Sequence, residues 1–486
     1  MESHDYKKLA GRMFLRWGVI TLGCCLILAM LCACQPPYGD SGLGRTGCRR
    51  CHQLTLDRYH DFRCNRCHAG HPEGYTMAQA HAGLVQSPAD PEHSGLICGT
   101  CHAREEASAR KSLHYSLKKE IGAVWKAFFP GDNPPVLRDI KASRQPDSAR
   151  AIVMDALARR CLRCHVYCKG DAYSMTARGK GCAACHMDLR SRGHAIFKEP
   201  AEKNCLACHY ANFVGWDYEG RFEKDYPEDF RAPLVKGHHI PRPYGVEWIA
   251  MQQDVHRKAG MSCLDCHGLQ AFHPGRDRDG NSAFDTCRRC HALDQAFPGH
   301  RPADSARVTC GSCHAVWTAL DMGRNLMRQD EPDLEDWGFL KAQGSSEVEH
   351  LVDAWAGSKD IPPAGTIVMT DKFTNIPYPG LWFAGFLQRR WSPVILGTDA
   401  DGRLSVIRPL LDISVSWVDA RGEVIFDSLS PGGPGPGSGV KKIVYPPYLQ
   451  LTPVPPPGRW LPVHPHTIGK ADAFRTRFVQ KYLSQW

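Results

Sequence analysis

Nine times between residues 48 and 314 the chain places Cys-x-x-Cys directly before a histidine. The first thiols are Cys48, Cys64, Cys98, Cys161, Cys182, Cys205, Cys263, Cys287 and Cys310, and the second are Cys51, Cys67, Cys101, Cys164, Cys185, Cys208, Cys266, Cys290 and Cys313. The histidines are His52, His68, His102, His165, His186, His209, His267, His291 and His314. Two thiols at this spacing match the vinyl groups along one edge of a porphyrin, and the adjoining imidazole is placed to ligate the iron. Zinc ribbons and thiol oxidoreductases also use Cys-x-x-Cys, but neither requires the following histidine or a ninefold repeat. The strings predict nine covalently attached haem c groups, with the nine histidines as proximal ligands.

The motifs account for 18 of the 23 cysteines. Cys24, Cys25, Cys32 and Cys34 lie in or at the end of an N-terminal apolar run, and only Cys168 is left over. With no second spare thiol in the body of the chain, an intramolecular disulfide is excluded. The expected role of Cys168 is that of a small buried hydrophobe; ligation, catalysis and an intermolecular bridge are the alternatives. The N-terminus carries Lys7, Lys8, Arg12 and Arg16, then the apolar stretch from Trp17 to Ala33. So short a run behind a basic start predicts an export signal rather than a membrane span. Its end, Leu31-Cys32-Ala33-Cys34, resembles a bacterial lipobox. That resemblance implies cleavage before Cys34 and lipidation of its thiol, and Gln35 implies sorting to the outer membrane, facing the periplasm or the cell surface. The alternative is an uncleaved N-terminal anchor.

These groups need elements to hold them, and the sequence divides accordingly. After a signal peptide at residues 1–33, a first trihaem segment spans 34–115, and a helical connector spans 116–160. The connector's periodic residues Leu117, Ile121, Val124 and Phe128 continue from Leu113. Residues 161–314 hold two triplets whose motif steps are 21 and 23, then 24 and 23 residues. In each, the middle motif is followed by a Gly-His pair, ending at His194 and His300, which reads as a duplicated trihaem module. A helical, acidic linker is expected over 315–360. A haem-free, β-rich domain is expected over 361–486, with strand-like runs such as LWFAGFL and a hairpin in VSWVDARGEVIF. The fold class is thus an α plus irregular multihaem region packed on its porphyrins, followed by a β-rich domain. The formal charge of +9 would otherwise suggest nucleic acid. Haem propionates offset it, and the arginines inside the motifs suit those carboxylates, so no nucleic-acid partner is expected.

Histidines outside the motifs decide what each iron can do, because two imidazoles favour simple electron transfer and an open position permits substrate binding. The candidate distal ligands are His194, His300, His256, His71, His81, His93, His114 and His273. His194 and His300 stand first, as equivalent positions of the repeat. No motif ends in lysine.

The segments DVHRKAGMSCLDCH (254–267), CHYANFVGWDYEGRFEKDY (208–226) and RGKGCAACH (178–186) resemble those of multihaem c-type cytochromes from metal- and sulfur-respiring bacteria. The likeness covers roughly residues 150–315. It implies an extracytoplasmic electron carrier of anaerobic respiration that works with redox partner proteins and is tethered to a membrane by its N-terminal lipid. The terminal acceptor would be a metal or a small oxyanion. The rival expectation is a reductase of a nitrogen or sulfur oxyanion with one open haem. A third has the β-rich domain dock a partner while the haems feed it. Related proteins carry a stretch like HPHTIGKA (464–471) before a further haem motif, which is missing here.

Overall fold

The structure is a computed structural model that describes residues 47–52, 54, 56–189, 194–210, 214–223, 234–235, 238–239, 242–268, 271–274, 286–297, 299–332, 345–348, 350–351, 367–392, 394–409, 413–430, 440–444 and 460–485. The export signal and Cys34 lie outside these residues. No helix among them is long and apolar enough to cross a membrane. The described residues fall into two compact units. One takes in Phe62–Val85 with the residues up to Thr55, and the other Leu56–Asp61 with Gln86 onward.

The smaller unit is built from single turns, Gly47–Arg50, Asn65–His68 and Met77–His81. A turn this short needs capping to persist, and Thr76 provides it. Its hydroxyl accepts from the Gln79 amide at 3.2 Å while the Gln79 side chain accepts from the Thr76 amide at 3.3 Å.

Among the described residues of the larger unit the helices of eight residues or more are α1 (Gly99–Ala109), α2 (Lys118–Phe128), α3 (Ala149–Arg159), α4 (Glu202–His209) and α5 (Ala473–Ser484). The periodic stretch from Leu113 is broken at Leu117, which takes a left-handed conformation at φ 50°. Beyond two short two-stranded pairs (Arg221–Glu223 with Trp248–Ala250, Leu234–Val235 with His238–His239), the strands from residue 318 onward are β1 (Thr318–Gln329), β2 (Val368–Thr370), β3 (Pro377–Pro379), β4 (Leu381–Ser392), β5 (Leu396–Asp399), β6 (Leu404–Pro409), β7 (Ile413–Val418), β8 (Val424–Leu429), β9 (Val440–Val444) and β10 (Trp460–Pro462). They form two four-stranded sheets in the orders β8-β7-β1-β4 and β9-β5-β6-β10, and a β2-β3 hairpin.

Two findings differ from the expected organisation. Residues 318–329 are not helical: they form β1, a central strand paired antiparallel with β4 and parallel with β7. TALDMGRNLMRQ contains good helix formers, but pairing on both edges overrides local propensity. Nor does the β-rich region stand apart. Ile121, Trp125 and Phe128 of α2 and Ile152 and Leu157 of α3 share one buried cluster with Leu326, Trp382, Phe383 and Trp417 of the sheet. Each such side chain is worth roughly 1.5–3 kcal/mol on full burial, so connector and sheet form a common core.

At its centre Asp155 of α3 is fully buried. Its carboxylate accepts from Arg159 at 3.0 Å, from Arg328 of β1 at 3.4 Å, from the Trp382 indole of β4 at 2.8 Å and from the Ser143 amide at 2.7 Å. A buried charge so fully paired fixes the register between α3, whose C-terminus leads into Cys161, and the sheet.

Candidate haem-ligating sites

The motifs fold locally as turns. The amides of His52, His68, His102, His267 and His291 each reach back 2.8–3.0 Å to the carbonyl of their own first cysteine. That closes Cys-x-x-Cys-His on one helical turn and holds both thiols and the imidazole together.

Long-range packing then sets a second imidazole opposite seven of the nine motif histidines. His52 faces His81 with ring centres 6.0 Å apart, and His102 faces His60 at 6.2 Å. His186 faces His273 at 6.3 Å and His209 faces His114 at 6.2 Å. His267 faces His466 at 6.2 Å, His291 faces His256 at 5.9 Å and His314 faces His300 at 6.3 Å. Two imidazoles bound to opposite sides of one metal, each through a bond of about 2 Å, have ring centres roughly 6 Å apart. Among the described residues no three His, Cys, Asp or Glu side chains gather as an all-protein metal cage. A pair of opposed imidazoles leaves four equatorial positions to a macrocycle, so the donor set fits haem.

In several of the rings the outer nitrogen is oriented as ligation requires, whereas Nδ1 of His300 and His466 is buried without a hydrogen-bond partner. His186 donates from Nδ1 to the Phe197 carbonyl at 2.8 Å, His314 to Gly469 at 3.1 Å and His273 to Glu105 at 3.2 Å. His68 does the same to Val85 at 2.9 Å. Nδ1 of His60 and His256 meets the carboxylates of Asp57 and Asp254 at 2.9 and 2.8 Å. A proton held on Nδ1 leaves the Nε2 lone pair for a metal. Burial holds the pKa of His209 down at about 4, and burial with the nearby His267 does the same for His466, so both rings are neutral near pH 7.

Of the eight distal candidates, His300, His256, His81, His114 and His273 stand in these pairs. The Gly-His pairs are not equivalent here. His300 faces the last motif of its module, whereas the corresponding position opposite His209 is taken by His114. The distal face of a site is covered by whichever segment packs there, and motif spacing does not constrain that choice. His60 and His466 belong to the general supply of histidines outside the motifs but are not among the eight candidates singled out above. For His60 the Asp57 three residues before it was an available sign; His466 lies 199 residues from His267 and gave none.

The fourth motif is different. Cys161–Cys164 form a 3-10 turn, and the His165 amide bonds to Leu162 rather than to Cys161. His165 is only 2 % exposed. Its face is covered by Phe373, with ring centres 4.1 Å apart and planes 14° from parallel. Its Nδ1 accepts a hydrogen bond from the Tyr167 amide at 2.9 Å, the reverse of His68, His186 and His314, and its buried Nε2 has no hydrogen-bond partner. Burial first, then Arg178, Lys180 and Lys372, push its pKa down to about 3. Among the described residues no second imidazole faces it. Tyr167 and Phe373 instead form part of the wall of a cavity of about 1060 Å³, which Tyr115, Lys118, Arg110 and Lys180 also line. No imidazole, thioether or thiol lines that cavity.

Thiols of different motifs also meet. Cys98 is hydrogen-bonded to Cys182, Cys164 to Cys208, Cys205 to Cys263 and Cys287 to Cys310. Within the smaller unit Cys48 meets Cys64 in the same way. The sixth motif is therefore a junction, touching the fourth through Cys208 and the seventh through Cys205. Cys168, 6 % exposed, accepts from the Gly170 amide at 3.4 Å, and burial raises its pKa.

No known protein family, curated protein or solved structure matches the chain.

Proposed function

We propose that this chain is a nonahaem c-type cytochrome, anchored to the outer membrane through Cys34, that carries electrons to an extracytoplasmic acceptor in anaerobic respiration. The observation that supports it best is the set of seven motif histidines, each with a second imidazole at the separation one shared metal requires. When bound, haem c supplies reversible one-electron chemistry at iron. The chain's part is to attach, orient and insulate. The motif turns fix the proximal rings, the carbonyls and carboxylates on Nδ1 lock their tautomers, and paired ligation keeps rearrangement on electron transfer small. Thiol contacts join the motifs in groups (first with second, third with fifth, fourth with sixth and seventh, eighth with ninth) and support short electron steps within each group, with a branch at the sixth motif. Its partners are redox proteins and the membrane, not nucleic acid.

A second reading, reduction of a small nitrogen or sulfur oxyanion, is favoured by one specific observation. Among the described residues no second imidazole faces His165, and the cavity whose wall Tyr167 and Phe373 form beside it carries Arg110, Lys118 and Lys180.

Intact mass of the denatured protein, with paramagnetic resonance of the oxidised protein, tests both readings. Nine haem adducts with low-spin signals throughout support the carrier. Nine adducts with one haem-equivalent of high-spin iron, responsive to nitrite or tetrathionate, support the reductase. Absence of covalent haem in fully matured protein refutes both.

A further inference from the structure

The haem-free segment places one aromatic ring against one motif histidine, and the loop that does so is tightly built. Between β2 and β3, Asp371–Ile376 turns back on itself: the Asp371 amide donates to Ile376 at 2.9 Å and the Asn375 amide to Asp371 at 2.9 Å. The Asp371 carboxylate collects the amides of Phe373 and Thr374 at 2.8 and 3.1 Å and also that of Ala142, in the α2–α3 connection, at 2.9 Å. The Lys372 amide donates to Ala158 of α3 at 3.0 Å, and its ammonium pairs with Glu347 at 2.9 Å. Asn375, at the tip, takes φ 56°, a conformation that asparagine tolerates better than most residues. The turn is thus tied to the same helix that delivers Cys161, and from it Phe373 reaches His165.

We infer that Phe373 is a positioning residue for the fourth haem: its ring, stacked on His165, fixes the rotation of that proximal imidazole and thereby the ligand field and potential of one iron. The inference rests on the reading that Cys161, Cys164 and His165 hold a haem. The flanking aromatic surface matters more here than at the other motifs. The ring lacks the carbonyl acceptor that orients His186 or His314, and its one polar contact is the Tyr167 amide. A neutral imidazole that gives Nε2 to iron carries its proton on Nδ1 and cannot keep the Tyr167 contact, so with haem bound the stack on Phe373 is what holds rotation about the Cβ–Cγ bond.

The test compares Phe373→Leu and Phe373→Tyr with the wild-type full-length holoprotein, by paramagnetic resonance of the oxidised state and by potentiometric titration. In Phe373→Leu one haem-equivalent in nine is expected to change its g-values and one titration step to shift, with the other eight unmoved. Phe373→Tyr, which keeps the aromatic face, is expected to retain the wild-type spectrum. Peptide mass over Cys161–Cys164 distinguishes the two ways of failing. A peptide without haem removes the site itself. A peptide with haem, together with an unmoved spectrum in Phe373→Leu or an equal change in both variants, overturns the role of Phe373 alone.

Discussion

Replacing His466 tests the pairing at its longest reach. The ring stands 6.2 Å from His267, with planes 20° apart, and its Nδ1 is buried without a hydrogen-bond partner. Its backbone is stitched across two motifs. The Thr467 hydroxyl donates to Trp317 at 2.6 Å, the Ile468 amide to Asp254 at 2.6 Å, and the Gly469 amide to His314 at 2.8 Å. None of these contacts uses the imidazole, so His466→Ala is expected to leave the segment in place and remove only the sixth ligand of the seventh haem. The magnitude follows from counting sites: high-spin ferric iron should rise by one haem-equivalent out of nine. His466→Met, which substitutes a thioether, should keep that iron low-spin. It should raise one potential by on the order of 0.1 V, a fraction of the roughly 0.8 V that axial ligands span. The assay is paramagnetic resonance with spin quantitation, followed by potentiometric titration, each normalised to haem content. A His466→Ala protein with nine haems, unchanged spin count and unchanged potentials would refute the pairing.

Three further outcomes follow from the same geometry. Asp155→Asn leaves Arg159 and Arg328 buried beside a neutral partner and is expected to destabilise the larger unit by about 3–5 kcal/mol, read as a lower denaturant midpoint by far-ultraviolet circular dichroism. Cys34→Ala is expected to release the protein from membranes or block its processing, read by fractionation; a variant still processed and membrane-bound would contradict the lipid anchor. Cys168→Ser is expected to leave every haem signal and electron-transfer rate unchanged, because the thiol meets only the Gly170 amide; altered turnover of a sulfur oxyanion would instead make it part of a reaction site.

What the sequence discloses and what it hides divide along physical lines. The thiols and the histidines that follow them are legible because their arrangement is local: five residues closing on one turn. The distal rings are legible only in supply. His256 and His300 precede the motif histidines they face by 35 and 14 residues, but His114 reaches His209 across 95 residues and His466 reaches His267 across 199. The duplicated Gly-His pairs looked equivalent because cysteine spacing is set by the motif turns. The opposing ligand comes from whatever packs on the far face, which the two modules do not share. Strand β1 was hidden for a related reason. Its residues have no strand bias, and its pairing partners, β4 and β7, lie 50 to 100 residues further along.

The common core also changes what truncation can reveal. If the β-rich region stood alone, removing residues from 361 onward would cleanly separate a haem carrier from a docking module. In the structure it takes Met369, Leu381, Trp382, Phe383, Val415 and Trp417 from the cluster that buries α2 and α3, and Trp382 from Asp155. It also takes Phe373 from His165 and His466 from His267. Arg475 is lost as well, whose guanidinium donates to the Cys313 carbonyl at 3.0 Å. Several fully buried aromatic and aliphatic side chains at roughly 1.5–3 kcal/mol each exceed the 5–15 kcal/mol by which folded domains are ordinarily stable. The truncated chain is therefore expected not to accumulate in soluble form, and its failure to bind a partner would say nothing about docking. Recovery of a soluble chain ending at residue 360, with nine haems and the full-length spectrum, would show that the β-rich region is independent after all and return it to the role of a separate module.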